Sequence, residues 1–290
     1  MRIPARTVLR IGPIDIDNAV ALAPPLLVGA PPLTSILGLA HAVAREIHRN
    51  GVPAFPEAYA AAIAARSDVR ILSRRGRQSA DGLTPAKATR PNPFGDARID
   101  LRISFLLAYG GQAAGGPSER WRAGSDEMIE RLLAAAHRLA PFFRQPLLRG
   151  MAVTISEPQA LPSEEAIENR SLRRVLAWTR FIAKARPRQT LPGSVETSSH
   201  PAAAVFRPQD AFLGYVLPTV VGYDARTLLQ SDGRRSLRSG PHREARIAEP
   251  LYAPVELIGV RTAFGDPTRR IWWRPSMLEP NIHLWETLTP

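Results

Sequence analysis

The spacing of apolar and polar residues changes several times along the chain, and each change predicts an element. Residues 6–17 alternate, with Val8, Ile14 and Ile16 apolar and Arg10, Asp15 and Asp17 polar. This is the pattern of a strand, interrupted at Gly12-Pro13. Pro24-Pro25 and Pro31-Pro32 then hold the chain extended and stiff. A helical period follows, with Ile36, Leu37, Ala40, Val43, Ala44 and Ile47 on one face. Thr34 or Ser35 is expected to cap that helix, Asn50-Gly51 to stop it, and Gly38 to let it approach a sheet closely. A short strand is predicted at 69–73 and the strongest one at 98–107. In the latter, Ile99, Leu101, Ile103 and Phe105 oppose Arg98, Asp100, Arg102 and Ser104. Ser125 caps a second helix, with Asp126 and Glu127 in its positive first turn. Met128, Ile129, Leu132, Leu133, Ala136 and Leu139 form its apolar stripe, and Pro141 ends it. A strand at 147–156 precedes a third helix at 163–187, opened by Ser163 with Glu164 and Glu165 in its first turn.

The order strand, helix, strand, long loop, strand, helix, strand is the ferredoxin-like order. The expected class is therefore α+β: one domain, 1–290, with a ferredoxin-like (RRM-like) βαββαβ core. A long basic hairpin at 74–97 is inserted in it, and C-terminal strands and a helix are added. Those strands are expected at 212–217, 251–258 and 270–273, with loops at 187–208 and 230–244.

Charge turns this outline toward a partner. The chain of 290 residues carries a formal net charge of +12 with a sequence pI of about 11.2. Phosphate neutralisation by basic side chains supplies most sequence-independent affinity for nucleic acid, so a polyanion is the leading partner. Of the 38 basic residues only Lys87 and Lys184 are lysine. Arginine holds phosphate bidentately and stacks on bases, which suits RNA, though codon bias produces the same ratio. The hydrophobic fraction of 44% fits a folded protein, and no apolar run approaches the roughly 20 residues of a spanning helix. The start, Met1 to Arg6, lacks the apolar region of a signal peptide, so a cytoplasmic protein with no membrane association is expected. There is no cysteine, hence no disulfide framework, thiol nucleophile or thiolate metal site.

Two segments are the candidate contacts. The 74–97 insertion carries Arg74, Arg75, Arg77, Lys87 and Arg90 and little apolar content. On the third helix, at roughly 100° per residue, Leu172, Val175, Leu176, Thr179, Ile182 and Ala183 share one sector. Arg170, Arg173, Arg174, Arg180 and Lys184 fall opposite, with Phe181 among them. Such a face holds a phosphate backbone while an aromatic ring meets a base; a solvated face or an interface with an acidic protein has the same pattern. Arg234, Arg235, Arg238 and Arg243 form another basic run, read as solvent-exposed. Catalysis finds little support. His41 and His137 read as packed helix residues, and His200, His242 and His283 stand in no metal-ligand spacing. Glu164, Glu165 and Glu168 are explained by the helix dipole, and neither a phosphate-cradling loop nor G-x-S-x-G occurs. No cofactor and no metal are expected.

Residues 14–43 carry a further signal: Ile16, Asn18, Ala19 and Ala21, then Gly29 and Pro31, then Gly38, His41 and Ala42. This resembles the opening I-x-N-A-x-A, G-(aromatic)-P, G-(apolar)-x-H-A of the second subunit of the Csy complex, the type I-F CRISPR RNA-guided surveillance complex. Ala30 replaces the usual aromatic residue, and Val20 stands where many members have a second Asn. Later patches also resemble the family: Thr89-Arg90-Pro91-Asn92-Pro93, the strand after Asp96-Ala97-Arg98, Gly214 to Pro218, Val221 to Ala225 and 245–258. The usual S-P-H-R ending is missing, which suggests a divergent branch. The resemblance implies a non-catalytic subunit with a ferredoxin-like RNA-binding fold, of the repeat-associated RNA-binding superfamily. It would grip the 5′ handle of the CRISPR RNA, pair with the large subunit, abut the backbone subunits and help engage target double-stranded DNA. Carried over by position, Asn18, Gly29, Pro31, Gly38 and His41 are expected to determine the fold, and Arg90 to contact RNA. The rivals are a metal-independent CRISPR RNA endonuclease using His41 or a loop Tyr or Lys, and a scaffold that binds only protein.

Overall fold

The computed structural model describes residues 6–23, 27–28, 31–72, 96–110, 125–143, 153–185, 215–225, 249–265, 270–279 and 282–288. Its first part runs β1 (Arg6–Val20), β2 (Leu22–Ala23), β3 (Leu27–Val28), α1 (Leu33–Arg49), β4 (Ala58–Ala65), β5 (Arg70–Leu72) and β6 (Asp96–Gly110). Then come α2 (Asp126–His137), α3 (Ala140–Phe143), β7 (Val153–Ile155), β8 (Gln159–Pro162), α4 (Ser163–Glu168), α5 (Arg170–Val175) and β9 (Arg180–Lys184). The last part is β10 (Tyr215–Asp224), β11 (Glu249–Gly259), α6 (Val260–Gly265), β12 (Trp273–Glu279) and β13 (Ile282–Thr287). The protein is mixed α and β, with few helices and one dominant antiparallel sheet.

That sheet has 11 strands in the order β12-β13-β10-β11-β9-β4-β6-β1-β7, with β5 beside β6 and β8 beside β1. A further pairing, Trp273 with Tyr59, joins β12 to β4. The strands β4, β9, β11, β10, β13 and β12 thereby close on themselves, so β4 is shared between a ring and the region β4-β6-β1. The Trp273 indole N–H donates to the Ile182 carbonyl at 2.9 Å and stitches β12 to β9 where that ring closes.

β1 explains its own irregular sequence. Thr7, Leu9 and Ile11 face α2, with the Thr7 hydroxyl 3.4 Å from the Met128 sulfur, while Val8 packs on the opposite face. Between Ile11 and Ile14 the register with β6 slips by one residue, from Ile11 opposite Phe105 to Ile14 opposite Ile103. The bulge at Gly12-Pro13 thus moves the core side from odd to even positions. A second slip between Ile16 and Ala19 moves it back. Val8 and Ile14, expected on one face, lie on opposite faces for this reason. Asn18 sits at the second bulge with φ of 59°, a left-handed conformation that Asn tolerates better than most residues. Its backbone N–H donates to Asp100 at 2.8 Å, its side-chain oxygen accepts from Arg70 at 3.0 Å, and its carbonyl accepts from Arg98 at 3.1 Å.

α1 buries the whole predicted face and Leu33 as well. It starts at Leu33, and neither Thr34 nor Ser35 caps it; the Leu33 N–H is met by the Thr219 hydroxyl of β10 at 2.9 Å. Gly51, with φ of 102°, follows its C-cap. A β-carbon at Gly38 would meet nothing within 4 Å, so no close approach to a sheet requires that glycine. α2 matches the expected helix: Ser125 accepts from the Met128 N–H, and the stripe is buried or half-buried. It ends at His137, and Pro141 falls inside the short α3 rather than ending α2. β6 is the expected strand lengthened at both ends, and β5 agrees with 69–73. β4 has no counterpart among the expected elements. Its sequence AYAAAIAA is rich in the best helix former, yet Tyr59, Ala61 and Ile63 bury on one face and Ala60 and Ala62 on the other.

The third expected helix is the main correction. Residues 163–187 do not form one helix: α4, α5 and β9 share the stretch. Asn169 has extended backbone, and its side chain accepts from the Leu172 N–H at 2.9 Å, so it ends one helix and caps the next. Buried Thr179 closes the following turn by donating to the Leu176 carbonyl at 2.7 Å. From Arg180 the chain alternates as a strand paired with β11 and β4. Phe181 and Ala183 enter the core with Ala60, Ala62, Leu172 and Leu176, and Ile182 enters the other core. Phe181 is fully buried and meets no base.

A charged network lies on the outer side of β1 and β6. Arg102 makes a two-pronged bond to Asp15 at 2.6 and 2.8 Å, Arg66 reaches Asp17 at 2.9 Å, and Arg70 reaches Asp100 at 2.6 Å. The hydrogen bond and charge of Arg102 hold the Asp15 carboxyl below the usual carboxylate range, against a smaller opposing effect of burial. A depressed folded-state pKa means stability present above the unfolded value near 3.9 and lost as pH falls through the folded one. Asp15→Asn should therefore cost about 1 kcal/mol at pH 7, the upper range for a half-exposed pair. Denaturant titrations at pH 7 and pH 3 check this; the wild-type advantage should shrink at the lower pH.

Candidate nucleic-acid interface

α5, the start of β9 and the β11–α6 junction meet at one groove. Its volume is about 570 Å³, and it is lined by Arg170, Arg173, Arg174, Ala177, Arg180, Gly259, Val260, Arg261 and Thr262. The local fold explains the convergence. Asn169 caps α5 so that Arg170, Arg173 and Arg174 fall within little more than one turn. The turn sealed by Thr179 brings the chain back as β9 with Arg180 at its exposed first position. Gly259 stands directly opposite Arg180 in the β9–β11 ladder, and Arg261 follows two residues later in α6.

A β-carbon at Gly259 would lie 2.8 Å from a terminal nitrogen of Arg180, so the exposed guanidinium lies over bare backbone and would shift aside for a side chain. The arginines lining the groove are all exposed, while Leu172 and Leu176 beneath them are buried. Among the described residues, no carboxylate forms an ion pair with Arg170, Arg174, Arg180 or Arg261. The contrast with Arg66, Arg70 and Arg102 is direct, since Asp15, Asp17 and Asp100 engage those three. Clustered guanidinium groups without counter-charges repel one another, and a polyanion placed among them removes that cost. Arginine forks match phosphate oxygens two at a time.

Between groove residues Ala177 and Arg180 the turn carries Trp178, whose side chain is 90% exposed. Trp178 does not itself line the groove, but an open indole between two groove residues in the chain offers a stacking plane to a base.

The predicted residues therefore divide. Arg170, Arg173, Arg174 and Arg180 are brought together as expected, although by two elements rather than one helix. Lys184, at the far end of β9, is exposed but does not line the groove. Arg74, Arg75, Arg77, Lys87 and Arg90 lie outside the described residues, as does Gly29. Pro31 is half-buried just before α1. His41 is half-buried on α1; its Nδ1 lies 3.0 Å from the Tyr59 hydroxyl, and its ring meets Tyr59 and Trp285 edge-on. Burial first, and Arg45 second, push its pKa below the ordinary histidine value, which favours the neutral ring. Arg261, Gly259 and Trp178 were not singled out by the sequence pattern. Among the described residues no group of His, Asp and Glu is arranged to hold a metal ion, and no helix is long and apolar enough to cross a membrane.

The chain matches no family model, and no curated protein matches it.

Proposed function

We propose that this protein is a non-catalytic RNA-binding subunit of a type I-F-like CRISPR surveillance complex, holding the 5′ handle of the CRISPR RNA in the cytoplasm. The observation that carries the RNA-binding part is the groove where Arg170, Arg173, Arg174, Arg180 and Arg261 converge. The strand order β4-β6-β1, flanked by β7 and β8 and crossed by α1 and α2, supports a ferredoxin-like core. In that reading the β9–β13 ring is the C-terminal addition, and the 74–97 insertion is the second basic element against RNA. The motif residues fit a structural role: Asn18 ties a bulge to Asp100 and Arg70, and His41 packs on Tyr59. Target double-stranded DNA and the large and backbone subunits complete the proposed set of partners.

Full-length protein should retain an oligonucleotide carrying the 5′ handle at least about tenfold better than a scrambled one of equal length, the difference expected of hydrogen bonds to splayed bases. Equal retention of the two would remove handle recognition from the proposal.

A further inference from the structure

We propose that the groove takes a single strand, with consecutive phosphates on the arginines and the ring of Trp178 stacked on one base. The inference rests on the RNA-binding reading and deepens it, because it names the aromatic plane and the cations that would take the strand.

The geometry favours a single strand over a duplex. Inside a duplex both faces of each base are covered by its neighbours, so a solvated indole can stack only on an end pair. In a single strand the bases are free to turn out, and an indole next to a row of cations is the arrangement used to hold them. Trp178 is 90% exposed, whereas Phe181 and Trp273 are buried. An indole left in water, away from any core, is available to a ligand at no packing cost. It also lies on a short turn fixed at both ends. Buried Leu176 anchors the entry, and buried Thr179 locks the exit through its bond to the Leu176 carbonyl. The backbone of such a turn is pre-positioned, so the order lost on stacking is confined to the side chain. Arg180, seated against Gly259, sets a cation two residues from the ring on the same turn. An alternative occupant, an acidic protein segment, would use the same cations without needing an open aromatic plane.

The test uses full-length protein with a fluorescent eight-nucleotide uridine-rich RNA, the same RNA in duplex form, and Trp178→Ala and Trp178→Phe variants. Circular dichroism shows whether each variant is folded, which substitution of an exposed side chain should not disturb. Trp178→Ala should weaken single-strand binding about 5- to 150-fold, and Trp178→Phe should restore most of it. Its salt dependence should stay that of the wild type, because no phosphate contact is removed. Single-strand RNA should quench tryptophan fluorescence in the wild type and much less in Trp178→Phe. Unchanged affinity in Trp178→Ala overturns the proposal. So does equal binding of the duplex, or a variant that keeps RNA affinity while losing a co-purifying protein. A uridine-rich strand bound through Trp178 with no preference for the handle leaves this inference standing and removes only handle recognition.

Discussion

Gly12→Val lowers the unfolding free energy by about 3–5 kcal/mol, enough to leave many domains of this size partly unfolded. Gly12 has φ of 115°, a backbone conformation that β-branched residues scarcely adopt. A β-carbon there would lie 2.8 Å from the Ile103 carbonyl oxygen and 3.2 Å from the Ser104 Cα. Both obstacles are backbone of the neighbouring central strand, so no rotamer change relieves them. The loss is not confined to the turn. Gly12-Pro13 is where β1 moves its apolar side from Leu9 and Ile11 to Ile14 and Ile16. If the bulge were removed, Asp15 and Asp17 would turn toward the core and Ile14 and Ile16 toward water. The Gly12 carbonyl also accepts from the buried Arg10 guanidinium, which reaches the Glu157 carbonyl at 3.0 Å and ties β1 to the segment before β8. Urea titration followed by circular dichroism reads the effect. A midpoint within experimental error of the wild type would mean that β1 does not depend on this bulge.

The second large effect concerns the groove. Replacing Arg170, Arg174 and Arg180 together by Gln should weaken single-strand RNA binding roughly 100-fold, on the order of 1 kcal/mol for each lost arginine–phosphate contact. The three are chosen because they are exposed and have no ion pair among the described residues, whereas Arg173 has a further interaction within the fold. Substitution of exposed side chains without partners should change stability by less than about 0.5 kcal/mol each. A loss of affinity would then report on binding and not on folding. Isothermal titration with the same eight-nucleotide RNA measures it.

Much of the architecture was legible because burial imposes a period. β6 is the clearest case: apolar residues at every second position from Ile99 to Phe105, each facing the helices. α1 is the next, with a face that is wholly buried. The failures have physical causes as specific as the successes. β4 reads as a helix by composition, because alanine favours helices in isolation. It is a strand because it is packed on both faces and paired on both edges, a tertiary fact that no local pattern carries. Residues 163–187 satisfy a helical wheel by coincidence, since a helix followed by a strand can place apolar residues at the same spacings. Asn169 and Thr179 were the available signals: one is a natural helix cap and the other a β-branched residue before the alternating Arg-Phe-Ile-Ala-Lys.

The basic face was legible as composition, and four of its five cations line one groove. Four arginines predicted on a continuous helix line one groove even though that helix does not exist. Charge stays at the surface whatever element carries it, so an error in the element left the cluster intact. The exposed aromatic was misassigned by the same error. On a helix Phe181 falls among the arginines, whereas on β9 its side is the core side, and Trp178 of the preceding turn is left in solvent. Arg261 was invisible because it comes from α6, far along the chain, and is brought to the groove by the β9–β11 pairing.

The central claim is that phosphates sit on these arginines, and the dependence of affinity on salt tests it most directly. The association constant for the eight-nucleotide RNA is measured between about 50 and 200 mM salt for the wild type and the triple Gln variant. Each lost phosphate contact to a single strand should flatten the log–log slope by about 0.7, so the variant should be flatter by roughly 2. Identical slopes in the two proteins would contradict the account and move the nucleic-acid interface elsewhere on the molecule.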